Sequence, residues 1–79
     1  MIAILDYDAG NLRSVEKAFH SLGCDTCVTR DYHEIIQADH VVLPGVGSFG
    51  NAMDHLKKYE LDKVIYEVVN QNKPFLGIC

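Results

Sequence analysis

The chain has no run of lysine or arginine, no long apolar stretch and too few cysteines for a disulfide framework. Each shortage removes a class of function. Eleven acidic against seven basic residues leave a net charge of −4. A nucleic-acid surface or a polybasic membrane patch needs clustered positive charge, so the sequence argues against both partners. No apolar run approaches the ~20 residues that a membrane span requires. Met1-Ile2-Ala3-Ile4-Leu5-Asp6 lacks the basic region and cleavage site of a signal peptide and reads instead as a strand that begins at once. Three cysteines, an odd number, do not make the framework of a secreted mini-protein and point to a reducing, cytoplasmic setting. Repeats, low-complexity tracts and linkers are also missing. With 79 residues, the chain is at most one small domain. A domain of that size buries only about 60–65% of its unfolded surface.

What is present is a regular alternation of strand and helix. Ile2, Ala3, Ile4 and Leu5 form a continuous apolar run, the mark of a strand covered on both faces. A turn at residues 6–10 follows. Asn11 is placed to cap a helix carrying Leu12, Val15, Phe19 and Leu22 at helical spacing, and Gly23 stops it. Residues 24–29 predict a weaker second strand. Asp31 and Glu34 have capping-box spacing ahead of a short helix with Ile35 and Ile36. Val41, Val42 and Leu43 predict the third strand. Phe49, Ala52, Met53 and Leu56 share one helical face, and Leu61, Val64, Ile65, Val68 and Val69 another, with a break near Tyr59. Pro74 ends that segment, because proline disfavours helical geometry in the residue before it. Residues 75–78 predict the fourth strand. Units of this length imply parallel strands joined by right-handed helical crossovers. The fold class is therefore α/β, a parallel sheet with helices on both faces.

In such sheets ligands bind beyond the carboxyl ends of the strands. Three features share that rim: the turn at residues 7–11, the glycine turn Gly45-Val46-Gly47-Ser48-Phe49-Gly50, and Cys79 at the end of the fourth strand. A thiol leaving a strand opposite a glycine-rich backbone loop suits acyl chemistry. The nucleophile needs a sharp exposed turn, and the developing oxyanion needs free backbone N–H groups. The same loop matches the dinucleotide pattern G-x-G-x-x-G. That site belongs after a first strand, however, with an acidic residue ending the next strand. Here it follows the third, and Cys79 ends the next. A non-catalytic nucleotide- or phosphate-binding module using residues 45–50 is the alternative.

Other candidates are weaker. Asp6 and Asp8 resemble the acidic pocket of phosphoacceptor receiver domains, but Leu43-Pro44 stands where the phosphorylated aspartate should be. Solvated turn carboxylates are the expectation, with Asp8 bonding the backbone N–H groups of its own turn. Cys24 and Cys27 form C-x-x-C, yet positions three apart on a strand face opposite ways, and no second ligand pair follows. They are read as structural thiols, with no metal and no cofactor. His33, His40 and His55 are read as surface residues without the spacing to serve Cys79.

The run Val42-Leu43-Pro44-Gly45-Val46-Gly47-Ser48-Phe49-Gly50-Asn51-Ala52-Met53 resembles the oxyanion strand of class I (triad-type) glutamine amidotransferases. Within that class it looks most like the glutaminase subunit family of imidazole glycerol phosphate synthase. Tyr7-Asp8-Ala9-Gly10-Asn11-Leu12-Arg13-Ser14-Val15 resembles the same family's first turn and helix, and Pro74-Phe75-Leu76-Gly77-Ile78-Cys79 its strand into the nucleophile elbow. The resemblance implies a flavodoxin-like half-domain. Residues 1–79 would be the amino-terminal part of a single amidotransferase domain. It further implies a cytoplasmic glutaminase of histidine biosynthesis that hydrolyses glutamine and passes ammonia to a (β/α)-barrel cyclase subunit in a heterodimer. Cys79 would be the nucleophile, and Gly45, Val46 and Gly47 the oxyanion loop, flipping a peptide to offer its N–H. Tyr7, Asp8, Gly10 and Asn11 would face the cyclase. The family's histidine and acidic triad members lie beyond its nucleophile, so the 79 residues alone are expected to be inactive.

Overall fold

A computed structural model describes the chain apart from residues 9–11, 46–48 and 78–79, and gives only the backbone of residues 49–52. Four strands, β1 (Ile2–Leu5), β2 (Thr26–Thr29), β3 (His40–Leu43) and β4 (Phe75–Gly77), form one sheet in the order β2-β1-β3-β4. All pairings are parallel: Ile4 lies opposite Val28 on one side and Val42 on the other, and Val42 lies opposite Leu76. The helices are α1 (Leu12–Ser21), α2 (Tyr32–Gln37), α3 (Phe49–Lys58) and α4 (Leu61–Asn70). The α/β class with a parallel sheet and helices on both faces is as the sequence implied.

Alternation along the central strands divides the core in two. Ile4 and Val42 point to one face, where Val15 of α1 is buried and Leu12 and Phe19 pack beside it. Ala3, Leu5, Tyr7 and Val41 point to the other, against Ile35 of α2, Leu56 of α3 and Leu61, Val64 and Val68 of α4. Both faces of β1 are therefore dry, which is why it carries no polar residue.

Helix ends are set by left-handed residues. Gly23 (φ +80°) closes α1: its N–H bonds the His20 carbonyl, and the Cys24 N–H reaches back to the Phe19 carbonyl. Asn72 (φ +58°) does the same for α4, through Asn72 N–H to Val69 O and Lys73 N–H to Val68 O. Helix α4 thus stops at an asparagine C-cap motif, two residues ahead of the proline that was expected to end it. Glu60 (φ +58°) separates α3 from α4 at the break anticipated near Tyr59.

Two local expectations need correction. Strand β2 begins at Thr26, so Cys24 lies outside it, because the closing turn of α1 uses the Cys24 N–H. The capping box also fails. Asp31 is the N-cap of α2 but makes no side-chain cap bond. Glu34 instead accepts hydrogen bonds from the Thr29 hydroxyl (3.0 Å) and the Cys27 thiol (3.2 Å), while Thr29 Oγ1 accepts from the Asp31 N–H (3.0 Å). At the other end of α2, Lys73 Nζ donates to the carbonyls of Ile36 (2.8 Å) and Ala38, tying the entry to β4 to the helix carboxyl end. Among the described residues, no helix is long and apolar enough to cross a membrane.

Leu61 is fully buried at the start of α4, whereas Leu22 at the end of α1 is 77% exposed. Leu61→Ala is expected to cost about 3–4 kcal/mol and Leu22→Ala less than about 0.5 kcal/mol, measured by urea unfolding. A second expectation comes from the sheet edge. The outer side of β4 pairs with no strand among the described residues, and Leu76 on it is 53% exposed. Unpaired strand edges recruit other strands. The 79-residue chain by itself is expected to self-associate, so that sedimentation velocity shows a rising weight-average mass with concentration.

Candidate functional site

Because all strands run the same way, the residues that follow β1, β2 and β3 emerge on one rim. Tyr7 and Asp8 come from β1, Arg30 from β2, and Pro44 and Gly45 from β3. The rim is tied together by side chains that are far apart in the chain.

Tyr7 continues the alternation of Ala3 and Leu5, so its ring enters the core and is only 3% exposed. Its hydroxyl donates to the main-chain carbonyls of Pro44 and, at 3.1 Å, Gly45. Pro44 is itself fully buried. The first turn is thereby fastened to the start of the glycine loop. Sequence periodicity places Tyr7 on the core face but gives no hint that its hydroxyl would find those two carbonyls.

Asp8 turns the other way. Its backbone is left-handed (φ +70°), and its N–H is held by Asp6 Oδ1 at 3.3 Å. The expected bonds from the Asp8 carboxylate to the backbone of its own turn fall on residues 9–11, outside the described residues. The Asp8 carboxylate accepts from the Tyr59 hydroxyl (2.7 Å) and from Arg30 (3.2 Å). His55 Nδ1 stands 3.2 Å away, in ion-pair range but out of hydrogen-bond alignment. Arg30 also pairs with Asp6 at 3.0 Å, and its guanidinium lies 3.8 Å from the centre of the Tyr59 ring. The Tyr59 hydroxyl, then Arg30 and His55, hold the Asp8 carboxyl below the usual aspartate range. The Asp6 carboxylate, with Tyr59, pushes the Arg30 ionisation further up.

Asp6 and Asp8 are therefore partnered rather than simply solvated, and Arg30, Tyr59 and His55 are rim residues that sequence reasoning missed. Arg30 was legible in principle as the residue following β2, but its partners were not. Tyr7, Asp8 and Gly45 are placed by the structure, and it brings Tyr7 and Gly45 together. Gly10, Asn11, Val46, Gly47 and Cys79 lie outside the described residues. The Cys27 thiol is bonded to Glu34, whose carboxylate, together with burial, pushes its ionisation upward. That is the setting of an unreactive thiol. Among the described residues no group of three metal-ligating side chains occurs.

Comparison with known proteins shows what the chain resembles. The chain is 51% identical, over all 79 residues, to the "Imidazole glycerol phosphate synthase subunit HisH" of Bacillus cereus strain AH187. The match is 51% to the protein of that name from Bacillus thuringiensis strain Al Hakam and 52% to that of Bacillus cereus strain ATCC 14579. Over its whole length the chain is therefore similar to part of the proteins of that name. It spans 38% of the length of these curated relatives, corresponding to their amino-terminal portion. No family model matches the chain.

The Asp8 contacts generate a pH dependence. An aspartate whose folded-state ionisation is depressed stabilises the fold above its unfolded value of about 3.9, and that stabilisation is lost as pH falls through the folded value. Removing the Tyr59 hydroxyl removes the largest cause. In Tyr59→Phe, the Asp8 carboxyl ¹³C titration is expected to move up toward the ordinary aspartate range. The stability difference from wild type should be present at pH 6 and vanish in the acid range below about pH 4.

Proposed function

We propose that the protein to which this chain belongs is the glutaminase subunit of imidazole glycerol phosphate synthase. In this reading it is a cytoplasmic enzyme that hydrolyses glutamine and delivers ammonia to a (β/α)-barrel cyclase partner. The observation that carries the reading is 51% identity sustained over every one of the 79 residues with relatives named as that synthase subunit. The rim lends physical support, since the Gly45 end of the glycine loop and the first turn are held together at the carboxyl ends of parallel strands. Ligands gather there in open parallel sheets.

The roles follow from the chemistry. The Cys79 thiolate attacks the side-chain amide carbon of glutamine, forming a carbon–sulfur bond and a tetrahedral oxyanion. Backbone N–H groups of the loop at Gly45, Val46 and Gly47 stabilise that oxyanion. Its collapse breaks the carbon–nitrogen bond, and ammonia leaves with a proton from the general acid. Water then attacks the glutamyl thioester, releasing glutamate and restoring the thiol. The turn carrying Asp8, Gly10 and Asn11 faces the cyclase, while the side chain of Tyr7 in the same turn is directed into the core. An unassisted cysteine ionises near pH 8.5, so only a few per cent is thiolate at neutral pH. The histidine base and its acidic partner are assigned to sequence beyond these residues, within the remaining length of the relatives.

The test is ammonia release from glutamine by the full-length protein with its synthase partner. Cys79→Ala is expected to lower kcat by at least about 10³-fold. The isolated 79 residues should give no turnover. Activity that survives Cys79→Ala would remove the nucleophile assignment.

A further inference from the structure

A loop that must present backbone N–H groups to an oxyanion has to hold its peptide planes in one orientation. Glycine is the residue least able to do that for itself, because it samples positive and negative φ alike. The glycine loop therefore needs an anchor from elsewhere, and the described part of the rim contains one. The Tyr7 ring is 3% exposed and packs in the core cluster with Leu5, Leu56 and Leu61, which leaves its hydroxyl little freedom to move. That hydroxyl has a single proton and faces two carbonyls in succession, Pro44 O and Gly45 O, the latter at 3.1 Å. The Tyr7 main chain is fixed from both sides as well. Leu5 pairs with Thr29 in the sheet, and Asp8 is gripped by Tyr59 and Arg30.

We propose that Tyr7 is a positioning residue for the glycine loop, its hydroxyl holding the Pro44 and Gly45 carbonyls and so setting the orientation of the loop's first peptide units. A peptide unit is planar and trans, so its C=O and N–H point in opposite directions. A donor that captures the carbonyl thereby selects the direction offered by the N–H of the same unit. Pro44 contributes no N–H and a fixed φ. The units that Tyr7 orients are therefore those that begin at Pro44 and Gly45, whose N–H groups belong to the residues that follow. Tyr7 touches no substrate in this scheme and acts only through the loop. The role deepens the glutaminase reading and rests on it for its effect on turnover, whereas the hydrogen bond itself can be measured independently.

The experiment uses the full-length protein with its synthase partner, first as wild type and then as Tyr7→Phe, which keeps the ring and deletes the donor. Wild-type ammonia release tests the glutaminase reading by itself. Given that activity, Tyr7→Phe is expected to lower kcat about tenfold with KM for glutamine within about twofold, because the bond orients the oxyanion loop rather than the substrate. A kcat within twofold of wild type, or a raised one, would overturn the proposal. The second readout is the ¹³C carbonyl resonance of Gly45, which should shift upfield in Tyr7→Phe as the carbonyl loses its donor. Should Tyr7→Phe fail to fold, 3-fluorotyrosine at position 7, a more acidic phenol of nearly the same shape, should shift that resonance downfield. A Gly45 carbonyl indifferent to the phenol would refute the anchor whether or not the protein releases ammonia.

Discussion

The parallel pairing of β1 with both β2 and β3 is the constraint on which the rest of the structure depends. With Ile4 opposite Val28 and Val42, the chain leaves all three strands at the same rim. Only then can the Tyr7 hydroxyl meet carbonyls 37 and 38 positions away, or Asp8 meet Tyr59 across 51 positions. The register matters as much as the direction. Residues 3, 5 and 7 alternate onto the α2–α4 face, and Ile4 onto the α1 face. A slip of one residue would exchange these faces. It would also carry the Tyr7 ring out of the core and away from the loop. The register that forms the core is thus the same register that brings the rim residues together.

How legible this was depends on the range of the interaction. Strands β1 and β3 are short apolar runs, and burial on both faces is the physical reason such runs exist. Helix α1 ends where Gly23 adopts the left-handed conformation that its lack of a side chain permits. The end of α4 was harder to place. Pro74 is the conspicuous breaker, but Asn72 reaches the left-handed region first, and the asparagine signal is weaker than glycine's. Glu34 shows a different failure. Its spacing from Asp31 suits a capping box, but the end of β2 brings Thr29 and Cys27 within reach, and a carboxylate makes one set of bonds at a time. Local pattern proposes partners, and tertiary contact chooses among them.

The same distinction governs the rim. Cys79, Gly45, Val46 and Gly47 were singled out because thiol and glycine patterns carry chemistry within a few residues of sequence. Arg30, Tyr59 and His55 carry no such pattern. They become neighbours of Asp8 only when β2 and α3 are placed on either side of the first turn. An arginine stacked on a tyrosine ring while pairing with two aspartates is a cross-brace between elements, and its members are individually unremarkable in the sequence. At the surface each such pair contributes little free energy. What the brace does is restrict the turn's direction, since it holds Asp8 in a left-handed conformation that few non-glycine residues adopt, aspartate among the more frequent of them.

Tyr7 and Tyr59 show how one side chain type serves two different ends. Tyr59 is half-buried at the solvent edge and donates to a carboxylate, so its contribution varies with pH and salt. Tyr7 is in the core and donates to main-chain carbonyls, which neither titrate nor depend on the identity of the loop's side chains. For a loop rich in glycine the second arrangement has a particular advantage. Residues without side chains can offer only their backbone as a handle, and the carbonyl is the half of each peptide that an oxyanion does not need. A phenol fixed in the core can therefore hold the loop by that half and leave the N–H half free for chemistry.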